Sequence, residues 1–328
     1  MIIQKTEGLI AAPFTPMNPD RSVNLDAIEG YAKWLHTNGV VGAFICGTTG
    51  EGMSLTIEER QTIAERWMAV APKDLRVIVH VGHATLADCR TLATHAAAIG
   101  ADSTSCLAPF FFKPNGVAGL VDWCVQVACA APQLPFYYYH IPSMTGVTLQ
   151  VSEFLRLAST RIPNLAGVKY TFEDIEDCTR CVQLENGRFD ILFGRDEMLL
   201  TSLGFGARGA VGSTYNFAAP IYQALIAAYD RGDLPKAAEL QAVAERMINV
   251  LVAGGPFPTA TFKWFMSQVG MDCGPTRLPL QDPTPEQIAV LEANLETTGV
   301  YDWINGKTVQ VFSDPSADAL QTRRHLRC

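Results

Sequence analysis

One residue of this chain calls for a chemical explanation before any other. Lys169 stands in the middle of LAGVKYTF (165–172), an apolar run where a charge is costly to bury, and it is one of only eight lysines. Side chains alternate along a strand, so Lys169 shares a face with Gly167 and Thr171 while Val168 and Tyr170 take the other. An ammonium held on an inner face loses solvation and its pKa falls. The neutral fraction can then attack a carbonyl to give a Schiff base. The same residues equally allow a buried ion pair between Lys169 and a carboxylate such as Asp196.

Two further stretches carry groups that such an amine would use. PFYYYHIP (135–142) holds three consecutive tyrosines, of which Tyr137 and Tyr139 share a face. Tyr139 lies nearer the C-terminal end of that strand, where a phenol can relay a proton. The alternative is a set of core aromatics whose hydroxyls reach backbone. GTTGEG (47–52) is a Gly-rich turn in which exposed amides and the Thr48 and Thr49 hydroxyls can hold a carboxylate or phosphate, although such turns are also simple connections.

Other candidates are weaker. Cys178 and Cys181 in CTRC have no second CxxC or spaced His pair to complete four zinc ligands, so they read as two thiols on one helix face. His80 and His83 in HVGH point to opposite faces of a strand and cannot share a metal there. Lys263 in TFKWFM falls on a helix where its long stem is expected to snorkel to solvent. Nine scattered cysteines do not form a disulfide framework.

The elements that must position these groups recur regularly. Apolar runs at 8–16, 40–47, 76–83, 101–109, 135–142, 165–172, 190–196 and 206–214 predict eight strands, with helical spacing between them, as near 25–38, 56–70 and 86–98. Strands apolar throughout, separated by amphipathic helices, predict a parallel sheet covered on its faces. Eight units fit an α/β fold of the (β/α)8 TIM-barrel kind better than an open sheet. The expected organisation is a catalytic barrel over 1–232 and a C-terminal helical extension over 233–305, packed on the barrel flank. That extension holds helices near 235–253, 257–269 and 284–297, and a loosely held tail follows over 306–328. Reacting groups of such a barrel sit at the C-terminal ends of strands, which is where the motifs above fall.

Composition narrows the partners. With 48% hydrophobic and 18% charged residues over 328 positions, the chain can bury a large core. Its net charge of −8 comes without a basic stripe, which argues against nucleic acid. The N-terminus lacks signal-peptide features and no long apolar run appears, so a soluble, cytoplasmic protein acting on small molecules, with no membrane partner, is expected.

Taken together, GTTGEG, YYYHIPSMTG (137–146), GVKYT (167–171), FGRDE (193–197) and GAVGSTYN (209–216) resemble the N-acetylneuraminate lyase and dihydrodipicolinate synthase family of Schiff-base aldolases, on the lyase side. The likeness spans the barrel and reaches GPTRLPLQ (274–281). It implies Lys169 as the Schiff-base lysine, Tyr139 as the proton-transferring phenol, and Thr48 and Thr49 as holders of a 2-oxo acid carboxylate. It further implies Thr171, Gly194, Asp196, Glu197 and Ser213 around the polyhydroxylated tail of a sugar acid. The implied reaction is the reversible cleavage of N-acetylneuraminate to N-acetylmannosamine and pyruvate, with no metal or other cofactor, in a homotetramer.

Two departures weigh against the synthase branch. Met144 stands where synthases resembling this chain carry an arginine for a second carboxylate, and a thioether cannot replace it. PFFFKP (109–114) replaces the synthases' PYYNRP, so the hydroxyl they lend to a neighbouring subunit's site is missing. The remaining alternatives are an aldolase for another 2-keto-3-deoxy sugar acid and, from a different class, a barrel that binds sialic acid or pyruvate without turnover.

Overall fold

The computed structural model describes residues 4–255 and 257–304. Strands and helices alternate: β1 (Gly8–Ala11), α1 (Ala27–Thr37), β2 (Gly42–Ile45), α2 (Ile57–Val70), β3 (Arg76–His80), α3 (Leu86–Ala98), β4 (Ser103–Leu107) and α4 (Gly116–Ala128). They continue with β5 (Phe136–His140), the short α5 (Pro142–Thr145), α6 (Val151–Ala158), β6 (Leu165–Tyr170), α7 (Ile175–Gly187), β7 (Asp190–Phe193), α8 (Leu199–Gly204), β8 (Gly209–Gly212) and α9 (Tyr215–Asp230). The strands pair in parallel and in sequence order, and β1 closes on β8. The predicted (β/α)8 barrel is the observed one. Several strands stop short of their apolar runs; β1 ends before Pro13 and Pro16, which have no N–H for a ladder.

Local signals set the helix starts. Thr56 and Glu59 form a reciprocal capping box at α2, and the Thr85 hydroxyl accepts from the Asp88 amide at α3. Each helix buries one face: α6 does so with Val151, Phe154, Leu155 and Ala158.

Alternation along the strands separates two cores. Phe44, Ile78, Tyr137, Tyr139 and Leu192 fill the barrel interior, while Tyr138, Val168 and Tyr170 pack between strands and helices. Register shifts between Phe136 and Tyr137, which face Leu165 and Gly167. That places an extra residue, Ala166, in β6, and Tyr139 then lies directly beside Lys169. Near the N-terminal ends of the strands, Asp190 accepts from the Tyr137 hydroxyl at 2.9 Å and from the Thr6 amide at 3.1 Å. These groups fill the bottom of the barrel.

Beyond the barrel come α10 (Leu234–Ala253), α11 (Pro258–Gln268) and α12 (Pro285–Glu296). Helix α10 buries Leu240, Ala244, Met247 and Leu251 and packs along α9, with α11 and α12 against it. One expectation fails here. Lys263 does not reach solvent: its side chain is 1% exposed, with Nζ 3.0 Å from Glu51 Oε1 and 2.8 Å from the Pro275 carbonyl. Helix spacing reports only that a long stem is available; the counter-charge arrives from the Gly-rich turn across the fold. The tail expected over 306–328 lies outside the described residues.

Gly167 tests how tightly β6 is held. A Cβ there would meet the Asp190 carbonyl oxygen at 1.8 Å and the Asp190 backbone nitrogen at 2.9 Å, strand backbone that cannot swing aside as a side chain would. Gly167→Ala should destabilise the fold by about 3 kcal/mol, the upper part of the range for overpacked sites, read as a lowered urea midpoint.

Candidate active site

Lys169 projects from β6 into the open end of the barrel, where its side chain is enclosed by rings from two strands. Its Nζ lies 4.0 Å from the Phe44 ring centroid and 4.2 Å from that of Tyr139. Burial pushes the ammonium down to about 7, and the nearby Asp196 carboxylate works against this as the lesser effect. The ion-pair alternative is therefore reduced to a charge felt at a distance: Asp196 is engaged by other partners.

Tyr139 carries its hydroxyl up to the Gly-rich turn, 3.4 Å from Thr48 Oγ1. Phe44 and His80 meet its ring edge-on, at centroid distances of 5.4 and 5.7 Å. Burial raises the phenol to about 12, so at neutral pH it holds its proton. A group in that state is suited to relay a proton rather than to wait as a phenolate base.

The turn at 47–52 folds back on itself, with the Glu51 amide donating to the Thr48 carbonyl and the Gly52 amide to the Gly47 carbonyl. The Thr48 and Thr49 amides then have no backbone acceptor among the described residues. Glycine is required at position 52, where a Cβ would meet the Cys46 carbonyl oxygen at 2.0 Å. Thr49 Oγ1 lies 2.6 Å from Ser213 Oγ, which joins the turn to the loop after β8. Hydroxyls and free amides side by side are suited to a carboxylate.

The opposite wall is built after β6 and β7. Thr171 follows the end of β6; its buried Oγ1 makes no full hydrogen bond among the described residues but lies near enough to the Tyr139 phenol to favour its ionised form. It occupies the space that a side chain at 194 would take, since a Cβ on Gly194 would lie 2.0 Å from it. Gly212 does the same for Asp196: a Cβ there would meet Oδ1 at 1.8 Å. Asp196 Oδ2 accepts from the Thr214 amide at 2.9 Å and from its hydroxyl at 2.6 Å. Burial lifts this carboxyl to about 6. Asp196 and Glu197 begin a short 3-10 turn beyond β7, so strand alternation is not what aims them. Glu197 is half-buried and paired with Arg195, 2.9 Å away, and Arg195 also bridges to Glu173.

The nine residues that the resemblance implies for catalysis and substrate binding all line one cavity of about 460 Å³. That size falls within the roughly 300–1,000 Å³ typical of small-molecule sites. Sequence reasoning missed a whole side of it. Ile248, Asn249 and Val252 of α10 and Pro258, Thr259 and Phe262 of α11 complete the wall, together with Arg195 and Thr214. Arg195 was visible within FGRDE; nothing local marks the α10 and α11 residues, because only packing brings them over the barrel mouth.

The weaker candidates settle into structural places. His80 ends β3 and His83 lies beyond it in a turn, so they do not alternate on one strand as expected; His83 pairs with Asp88 at 3.1 Å. His80 Nδ1 donates to the Cys46 carbonyl, and burial, with Arg60 beside it, keeps the ring neutral. Cys178 and Cys181 are buried on α7, where burial pushes both thiols up. Among the described residues no group of three or more His, Cys, Asp or Glu side chains is arranged to hold a metal ion. None of their helices is long and apolar enough to cross a membrane.

Comparison with known proteins follows the same lines. The model of the dihydrodipicolinate synthetase family matches residues 5–298. The chain is 46% identical to N-acetylneuraminate lyase A of Xenopus laevis over 281 residues, covering 84% of this chain and 91% of that one. It is 42% identical to N-acetylneuraminate lyase of Rattus norvegicus over 298 residues, covering 90% and 93%. Among solved structures, Proteus mirabilis N-acetylneuraminate lyase superposes with a TM-score of 0.87 at 41% identity, covering 90% of this chain and 100% of that one.

The lowered amine has a readable consequence. Capture of Lys169 by a 2-oxo acid and cyanoborohydride should accelerate as pH rises through about 7, because the protonated amine cannot attack. A rise centred near the ordinary lysine value of 10.5 would mean that the amine is solvated.

Proposed function

The chain belongs to the dihydrodipicolinate synthetase family, and on that premise we propose that Lys169 and Tyr139 carry out the chemistry of a sialic acid aldolase. It is a carbon–carbon lyase of the N-acetylneuraminate lyase type. The observation that carries the residue assignment is the buried Lys169 amine, lowered to about 7 and set against the Tyr139 ring.

In this reading the open-chain sugar acid enters with its carboxylate on Thr48 and Thr49. Neutral Lys169 adds to the keto carbon, water leaves, and the resulting iminium draws electrons from the bond between C3 and C4. Tyr139, assisted by the substrate carboxylate, relays the C4 hydroxyl proton as that bond breaks. N-acetylmannosamine departs, and the enamine left on Lys169 takes a proton and is hydrolysed to pyruvate. The family reaction needs no metal, since the iminium supplies the electron sink that a Lewis acid would otherwise provide. Thr171, Gly194, Asp196, Glu197 and Ser213 hold the hydroxylated tail. The buried Thr171 hydroxyl on the cavity wall and the fixed Asp196 carboxylate support that role best.

The proposal extends to assembly and location: a cytoplasmic homotetramer, with the exposed Phe111 and Phe112, which meet edge to face, in keeping with a subunit contact. Light scattering on the purified protein tests the tetramer.

Cleavage of N-acetylneuraminate to N-acetylmannosamine and pyruvate is the direct test. Lys169→Ala should fold and show no measurable cleavage, whereas Tyr139→Phe should still be trapped with pyruvate and borohydride but cleave roughly 10² to 10⁴ times more slowly. Retained lyase activity in the lysine variant, or unchanged turnover in the tyrosine variant, would overturn the respective role. A shorter 2-keto-3-deoxy acid turned over in preference would favour the sibling aldolase, and trapping without turnover of any sugar acid would favour the binding barrel.

The tail assignment is tested separately. Asp196→Asn and Glu197→Gln should weaken cleavage by about 1.5–3 kcal/mol where a charged hydrogen bond to substrate is lost, while pyruvate trapping stays intact. Asp196 should be the more sensitive, because Glu197 already shares its charge with Arg195. Loss of trapping in step with cleavage would place the pair on the lysine instead.

A further inference from the structure

The acidic residue of GTTGEG does not face the cavity. Glu51 adopts a left-handed backbone, φ 56°, and its side chain is turned beneath the turn with 0% exposure. Such a backbone is strained for a non-glycine residue and persists only when its surroundings over-determine it. The surroundings here come from far along the chain. Oε1 is 3.0 Å from Lys263 Nζ on α11, and Oε2 accepts from the Arg277 amide at 2.7 Å, partners 212 and 226 positions away.

Both partners are themselves anchored. Lys263 donates to the Pro275 carbonyl at 2.8 Å, and the Arg277 guanidinium grips Glu59 of α2 through two bonds of 2.6 Å while also reaching the Ser54 carbonyl. Phe262, next to Lys263 in the chain, and Thr259 one turn before it line the cavity. The turn that presents Thr48 and Thr49 and the helix that presents Phe262 are thus tied by one buried ion pair behind both.

We propose that Glu51 and Lys263 are positioning residues that hold the Thr48–Thr49 turn in its anion-binding shape, so that substrate affinity at the carboxylate end is set by a joint between barrel and C-terminal extension. This rests on the reading of Thr48 and Thr49 as carboxylate holders. Neither residue touches substrate; Glu51 acts through the turn backbone, and Lys263 acts through Glu51. A pair that served stability alone would change how much protein is folded but not how well the folded protein binds pyruvate.

The experiment uses the full chain and measures three quantities for Glu51→Gln, Lys263→Met and Lys263→Arg: the pyruvate concentration that half-saturates borohydride trapping, KM and kcat for N-acetylneuraminate cleavage, and the thermal midpoint. Glu51→Gln and Lys263→Met should raise the half-saturating pyruvate concentration and KM about tenfold or more, with a much smaller change in kcat, and Lys263→Arg should recover part of the loss. Because a single change leaves an unpaired buried charge, Glu51→Gln combined with Lys263→Met serves where a single variant fails to fold. It should fold and keep the raised half-saturation. A lowered midpoint with wild-type half-saturation, in the single or the double variants, overturns the proposal. Absence of pyruvate trapping in the wild-type protein would instead overturn the functional reading on which the proposal stands.

Discussion

Keeping one amine away from water governs much of this structure. Lys169 can be neutral near pH 7 only if the barrel denies it solvent and no carboxylate pairs with it directly. Tyr139 from the adjacent β5 and Phe44 from β2 across the barrel enclose it, and the Asp190 cluster fills the opposite end of the barrel. Asp196, whose charge would restore the proton, is itself lifted to about 6 and bonded to Thr214. Each charge favours the other's ionisation while burial opposes both, and the two groups do not merge into an ion pair.

A second constraint follows from the first. On the proposed reading the enclosed cavity must still admit a hydroxylated substrate, and its walls combine dry packing with polar groups held open. Glycine makes this possible by omission: at 194 it leaves room for the Thr171 hydroxyl and at 212 for the Asp196 carboxylate. Neither position relies on unusual backbone freedom; each is a matter of volume. The polar groups that need no opening are closed off, as with His80 against the Cys46 carbonyl and Glu51 against Lys263.

The helices after the barrel belong to the site as much as the strands do. Gln241 of α10 donates to the Asp196 carbonyl at 3.2 Å and accepts from the Leu200 amide at 2.9 Å, which steadies the turn that carries the acid. From the same helix Ile248, Asn249 and Val252 reach the cavity. An appended segment thereby supplies a wall and also fixes the geometry of the barrel loops it covers.

Much of this was legible in the residues. Apolar runs spaced by helical periods gave the eight strands and the barrel, because strand burial and helix amphipathicity are properties of adjacent side chains. The period of two placed Lys169 and Tyr139 on inward faces, and the position of each motif at a strand end assigned it to one mouth. What alternation could not supply was anything decided after the strand ends: Asp196 and Glu197 leave β7 in a 3-10 turn and acquire different partners, one Thr214 and the other Arg195. For Lys263 the sequence predicts a stem that snorkels to solvent, because its neighbours say nothing of Glu51, which reaches it only once α11 has packed onto the barrel. The sequence by itself determined periodicity, strand order and which residue types stand at the barrel mouth, since these follow from covalent spacing. Only the tertiary structure decided which charges meet, which hydroxyls stay open and which distant helix closes the cavity, since these depend on contacts between segments whose separation along the chain carries no information about their distance in space.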